Sequence, residues 1–165
     1  MSGGRLDDVR LVAFDLDGVL TDGRIYISDE GAESKAFHTQ DGYGMRRLLK
    51  AGIAVAVISG RSSGAVTKRM SELGVLHVIQ GCEDKVAALD QIIAALDISN
   101  VQCVYVGDDI PDLPLLKHVG FAVAVANAVP ALHAQCDYST SATGGGGAVR
   151  EVCELVLDAR SQNGQ

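Results

Sequence analysis

Two aspartates, Asp15 and Asp17, close the apolar run Leu11-Val12-Ala13-Phe14, and a second pair, Asp108 and Asp109, closes Val104-Tyr105-Val106-Gly107. Ser59-Gly60-Arg61 closes a third apolar run, and Lys85 stands at the start of a helical pattern. Several carboxylates in one crevice repel one another and hold a proton unless a cation sits among them. A hard, oxygen-preferring ion such as Mg²⁺ resolves that conflict and recruits a substrate phosphate as a further ligand. The Ser59 hydroxyl and Lys85 would complete a cradle for a dianionic phosphoryl group, where positioning and charge neutralisation dominate. A carboxylate nucleophile in such a cradle gives an aspartyl-phosphate intermediate. Each piece alone has a plain structural reading as a solvated turn, a helix cap or a surface lysine. Their convergence at strand ends sets those plain readings aside.

The elements that must position these groups alternate in type. Short apolar runs at 10–15, 53–58, 76–79, 101–106 and 120–125 predict buried strands. Helical patterns fill 44–51, 63–73, 84–96, 112–118 and 148–159. That alternation is the signature of an α/β fold with a mainly parallel sheet. Ligands of such sheets collect outside the carboxyl ends of the strands, where the acidic pairs and Ser59 all fall. Val86, Leu89, Ile92, Ile93 and Leu96 have the spacing of a core-facing helical stripe, and Met45 and Met70 read as core. Residues 24–39 interrupt the alternation with the pattern of a β-hairpin, a flap over the site or an assembly surface. The glycine run at 144–147 reads as a flexible loop before the last helix.

Composition narrows the functions. A chain of 165 residues with 47% hydrophobic content is expected to form one domain across 1–165. The formal charge of −7 argues against a nucleic-acid or anionic-membrane binder. Cys82, Cys103, Cys136 and Cys153 form no C-x-x-C pair, so free thiols in a reducing compartment are expected rather than a zinc or redox centre. With no signal pattern in the first ten residues and no run of ~20 apolar residues, the expectation is a soluble, cytoplasmic protein.

Asp15-Leu16-Asp17-Gly18-Val19-Leu20-Thr21-Asp22 resembles the first motif of the haloacid dehalogenase superfamily of phosphohydrolases. Ser59-Gly60-Arg61 is similar to its second motif, Lys85 to its third, and Gly107-Asp108-Asp109 with Asp112 to its fourth. Thr21 to Tyr26, Ala36-Phe37-His38, Gln40 to Gly44 and Gly147 to Cys153 resemble the capless branch that hydrolyses 3-deoxy-D-manno-octulosonate 8-phosphate, a precursor of bacterial lipopolysaccharide. The resemblance implies a capless Rossmann-like domain with a hairpin flap at about 24–39, a C-terminal glycine-rich loop and helix at about 143–160, and a homotetramer. It further implies Asp15 as nucleophile, Asp17 as acid and then base, and Mg²⁺ held by Asp15, Asp108 and the Asp17 main-chain carbonyl. Ser59, the Gly60 amide and Lys85 would hold phosphate, with Asp109 beside them orienting metal-bound water or Lys85. His38, Arg61 and Arg69 would reach the substrate.

One position departs from that branch, because Gly146 stands where an arginine is usual in its glycine-rich loop. That keeps a nine-carbon ulosonic acid phosphate open as substrate. A receiver-like signalling domain also gathers aspartates, Ser/Thr and Lys, but its phosphorylated aspartate stands alone after the third strand. An assembly module that has lost catalysis would not keep every catalytic position filled.

Overall fold

The computed structural model describes residues 6–162. Strand β1 (Leu11–Phe14) is buried at every residue, as a strand covered on both faces must be. It pairs in parallel with β4 (Ala54–Ile58) and β6 (Cys103–Gly107), with Phe14 opposite both Val57 and Val106. Strands β5 (His77–Ile79), β7 (Phe121–Ala124) and β8 (Tyr138–Ser139) complete a six-stranded parallel sheet in the order β5-β4-β1-β6-β7-β8. From β1 the chain steps one way through β4 to β5, then returns past β1 and steps the other way from β6. The reversal leaves a crevice at the carboxyl ends of β1 and β6, the switch point where open α/β sheets take their ligands.

Helix α1 (Thr39–Lys50) links β1 to β4 by way of the hairpin, and α2 (Gly64–Leu73) links β4 to β5. Helix α3 (Lys85–Leu96) carries the chain back to β6. Right-handed crossovers in opposite directions place α1 and α2 on one face of the sheet and α3 on the other. The packing agrees: α1 lies against α6 (Ala148–Gln162) and α2, while α3 lies against α4 (Leu113–Leu116). Helix α5 (Pro130–His133) is a single turn before β8. In the expected α3 stripe, Leu89 and Ile92 are buried, and Val86, Ile93 and Leu96 pack at its margin. Met45 and Met70 are buried, and all four cysteines are free.

The hairpin is present but minimal. Strand β2 (Tyr26–Ile27) pairs antiparallel with β3 (Glu33–Ser34), and Ile25, Tyr26 and Ile27 point into solvent. Helix limits and one loop depart from the sequence reading. Helix α1 begins at Thr39, five residues earlier than expected, because Gly42 and Gly44 lie inside it. A Cβ on Gly44 would stand 3.1 Å from Cys153 Cβ, so the missing side chain is what lets α1 and α6 close together. The helix expected at 112–118 divides into a 3-10 turn at Ile110–Asp112 and the four-residue α4. The glycine run is not a free loop: Gly144 N donates to Asn127 Oδ1 at 2.6 Å and Gly145 N to Val19 O at 3.1 Å.

Candidate active site

Asp15 follows β1, Ser59 follows β4 and Asp108 follows β6, so the parallel register brings three distant segments to one edge of the sheet. They line a cavity of about 360 Å³ together with Asp17, Gly23, Gly60, Arg61, Lys85, Asp109, Pro111 and Asp112. The loop after β1 is tied down from within. Gly18 N donates to Thr21 Oγ1 at 3.3 Å, and the Thr21 side chain is buried. Gly18 has φ +88°, and a Cβ there would lie 1.9 Å from Asp108 Oδ2. Glycine is required on both counts, because a side chain would be strained and would displace the β6 carboxylate.

Lys85, the first residue of α3, reaches back into the cavity. Its ammonium donates to Asp15 Oδ1 at 2.8 Å and to Asp112 Oδ1 at 2.7 Å. Asp112 is almost wholly buried and saturated. Tyr105 Oη donates to its Oδ1 at 2.7 Å, and the amides of Asp108 and Asp109 donate to Oδ2 at 3.0 and 3.3 Å. Burial would lower the Lys85 pKa, but the Asp15 and Asp112 charges more than offset it and hold it above the ordinary lysine value. Burial, with Asp112 adding to it and Lys85 opposing, pushes the Asp15 carboxyl up to about 6. Burial and the facing carboxylates of Asp15 and Asp112 push Asp108 up to about 8. Neither group sits easily as an anion without a further positive charge.

That deficit is the test of fit for a cation. One carboxylate oxygen each from Asp15, Asp108 and Asp112 lies within 4.8 Å of the others. Asp112 has both oxygens committed to four donors, so the oxygens left to face a cation belong to Asp15 and Asp108. An all-oxygen donor set of this kind suits Mg²⁺.

Of the residues singled out by sequence, Asp15, Asp17, Ser59, Gly60, Arg61, Lys85, Asp108 and Asp109 all line the cavity. Lys85, however, is held by Asp112 rather than Asp109. The Asp109 carboxylate instead accepts from Ile110 N at 2.7 Å and caps the 3-10 turn, because the turn bends it outward while Asp112 points in. His38 and Arg69 lie away from the cavity, along a narrow cleft with Leu20, Phe37 and Asp41. Two residues escaped the sequence reading. Lys35 Nζ pairs with Asp17 Oδ1 at 2.6 Å and with Glu33 Oε1 at 3.0 Å, and Arg61 donates to Glu33 Oε2 at 2.9 Å. Their signal is the two-residue spacing of Glu33 and Lys35, which turns both side chains to one face of an extended segment.

Residues 71–152 match the model of the haloacid dehalogenase-like hydrolase family, the class that this sheet and aspartate cluster define. The 3-deoxy-D-manno-octulosonate 8-phosphate phosphatase of Salmonella typhi is 44% identical over 158 residues, covering 96% of this chain and 84% of that protein. The crystal structure of the corresponding phosphatase from Yersinia pestis superposes with a TM-score of 0.94 at 44% identity, covering 95% of this chain and 85% of that one. The phosphatase of Moraxella catarrhalis, solved with magnesium, phosphate and KDO, superposes with a TM-score of 0.93 at 46% identity, over 95% of this chain and 90% of that one. The chain belongs to the haloacid dehalogenase-like hydrolases, in the family of the 3-deoxy-D-manno-octulosonate 8-phosphate phosphatases. Among the described residues no helix is long and apolar enough to cross a membrane.

Proposed function

We propose that the chain is a Mg²⁺-dependent phosphoric monoester hydrolase that converts 3-deoxy-D-manno-octulosonate 8-phosphate to the free sugar acid and phosphate. The observation that carries the reading is Asp15 itself: a buried carboxylate that accepts from Lys85 and has an oxygen within 4.8 Å of the Asp108 carboxylate, in the wall of a cavity lined mainly by polar residues. Asp15, Asp108 and the Asp17 main-chain carbonyl would hold Mg²⁺, which would supply the positive charge that lets carboxylates and phosphate share this space.

An Asp15 oxygen attacks phosphorus, and the bond from phosphorus to the sugar oxygen breaks. Asp17 gives its proton to that departing oxygen. The sugar acid leaves, and an aspartyl phosphate remains on Asp15. Asp17, now a carboxylate, takes a proton from the incoming water as the water oxygen attacks phosphorus. Inorganic phosphate departs, and both aspartates return to their starting forms. Lys85 balances the charge at Asp15 throughout, with Asp112 and Tyr105 fixing its ammonium. Ser59 and the Gly60 amide hold the non-reacting phosphate oxygens, and Arg61 faces the substrate side of the same cavity.

Cytoplasmic action as a homotetramer accords with this reading. Ile25, Tyr26, Ile27 and Tyr43 form an exposed apolar set at the hairpin and the start of α1, suited to burial against other copies. Light scattering on the purified chain measures that mass directly. Gly146 is exposed and stands outside the cavity, so the departure from the family's arginine leaves the reacting groups in place and bears on the sugar alone. Phosphate release from the eight-carbon substrate and from a nine-carbon ulosonic acid phosphate, each with and without Mg²⁺, tests the assignment. Higher kcat/KM for the eight-carbon ester, lost on chelation and restored by Mg²⁺, is expected. A clear preference for the nine-carbon ester would replace the substrate and keep the chemistry.

A further inference from the structure

Lys35 is at odds with its surroundings. It directly follows a two-residue strand whose partner strand is exposed to solvent, yet its side chain is wholly enclosed. Its ammonium lies between Asp17 and Glu33, and Glu33 in turn pairs with Arg61. Negative and positive groups therefore alternate from the β1 loop through the hairpin to the β4 loop. An enclosed lysine demands such partners, since an unpaired buried ammonium is strongly unfavourable.

We propose that Lys35 is a positioning residue for the acid–base step, through which the hairpin sets the Asp17 carboxylate. An ammonium donates hydrogen bonds and accepts none. With Lys35 donating to Oδ1, any proton that Asp17 carries must sit on Oδ2. The contact fixes the carboxylate's rotation and commits one oxygen to the hairpin, so the other is the one that exchanges protons with substrate or water. Seating of the hairpin and readiness of the acid thereby become a single event. The Glu33–Arg61 pair braces the same contact from the far side, holding the hairpin to the loop that also carries Ser59.

The inference rests on the acid role proposed for Asp17, and the test separates the two. Alkyl esters such as 3-deoxy-D-manno-octulosonate 8-phosphate need a proton on the departing oxygen, whereas p-nitrophenyl phosphate releases a stabilised phenolate. Values of kcat/KM, which report only steps up to leaving-group departure, are measured on both esters for the wild type, Asp17→Asn, Lys35→Met and Lys35→Arg. Lys35→Met is expected to lose about 100-fold on the sugar ester, in kcat, and less than about 5-fold on the aryl ester. Lys35→Arg, which keeps a donor, is expected to recover at least about a tenth of the wild-type sugar-ester value. Equal losses on both esters, or a loss confined to KM, would overturn the positioning role and leave a structural one. If Asp17→Asn itself shows no ester selectivity, the acid assignment fails. Selectivity in Asp17→Asn without it in Lys35→Met refutes the Lys35 inference alone. Thermal unfolding of each variant confirms that comparison is among folded proteins, and Lys35→Arg carries it if Lys35→Met does not fold.

Discussion

The cavity has two walls built on opposite principles. On the sheet side, Asp112 accepts four hydrogen bonds in almost complete burial, and the groups it holds come from β6 and α3, both anchored in the core. On the hairpin side, two strands of two residues each leave Ile25, Tyr26 and Ile27 in solvent, and charge pairs hold the end of the hairpin to the cavity. The sheet wall has no freedom to move without leaving buried donors unpaired. The hairpin wall makes few apolar contacts within one chain, so its position depends on Lys35 and Glu33. Phosphorus chemistry needs fixed charges and sits on the rigid wall. Proton delivery to a departing sugar falls at the boundary, where Asp17 belongs to the sheet loop but is gripped by the hairpin.

Substitutions that break this contrast rank by expected effect. Asp15→Asn should lower phosphatase activity by on the order of 10⁴-fold or more, because the nucleophile is lost. Its thermal midpoint should not fall, since one member of a repelling carboxylate group becomes neutral; a destabilised protein would show that Asp15 holds the fold together. Asp112→Ala should damage both properties. It strands Lys85, Tyr105 and two amides, at a cost of about 3–5 kcal/mol in a denaturant titration, with activity falling at least about 100-fold. Activity lost without stability would place Asp112 in the chemistry instead of beneath it. Lys35→Met should show the reverse balance, with an ester-selective loss of about 100-fold and a smaller stability loss than Asp112→Ala in the same titration.

A smaller effect lies far from the reacting groups. Glu151, on α6, accepts from Tyr138 Oη at 2.7 Å and from the amides of Ser141 and Ala142, and these bonds outweigh burial and hold its carboxyl below the ordinary glutamate value. A carboxyl with a depressed folded pKa adds stability that is present above the unfolded value and lost as pH falls through the folded one. The wild type should therefore be more stable than Glu151→Gln by about 1–2 kcal/mol at neutral pH, and that difference should close as pH falls through the acid range. Denaturant midpoints of both proteins across pH 3–7 check the sign, and a difference between them that widens on acidification would contradict it.

What the sequence showed of this molecule follows from the same contrast. Asp15, Ser59 and Asp108 each end a run of buried apolar residues, so the strand signal and the chemical signal coincide. Parallel pairing does the rest. Lys85 was legible as the first residue of a periodic helix, but its partner was not, because Asp109 and Asp112 differ only in how a 3-10 turn rotates them. Lys35 and Glu33 lie in a segment too short for alternation to stand out, and β8 failed to register for the same reason. Helix α1 was truncated in the reading because Gly42 and Gly44 have poor helix propensity, and tertiary packing against Cys153 overrides it. Whatever a buried periodic element carries can be read from sequence. What is held by a few charges across a fold cannot.

The central claim is a covalent bond from Asp15 to phosphorus. The direct measurement is peptide mass mapping of Asp17→Asn quenched with acid after mixing with p-nitrophenyl phosphate and Mg²⁺. The aryl ester lets the bond form without the acid, and the missing base slows its hydrolysis. A phosphoryl group on the peptide holding Asp15, absent when Asp15→Asn is added to the same background, is the expected result. Release of p-nitrophenol in stoichiometric amount with no phosphoryl group on that peptide would contradict the account.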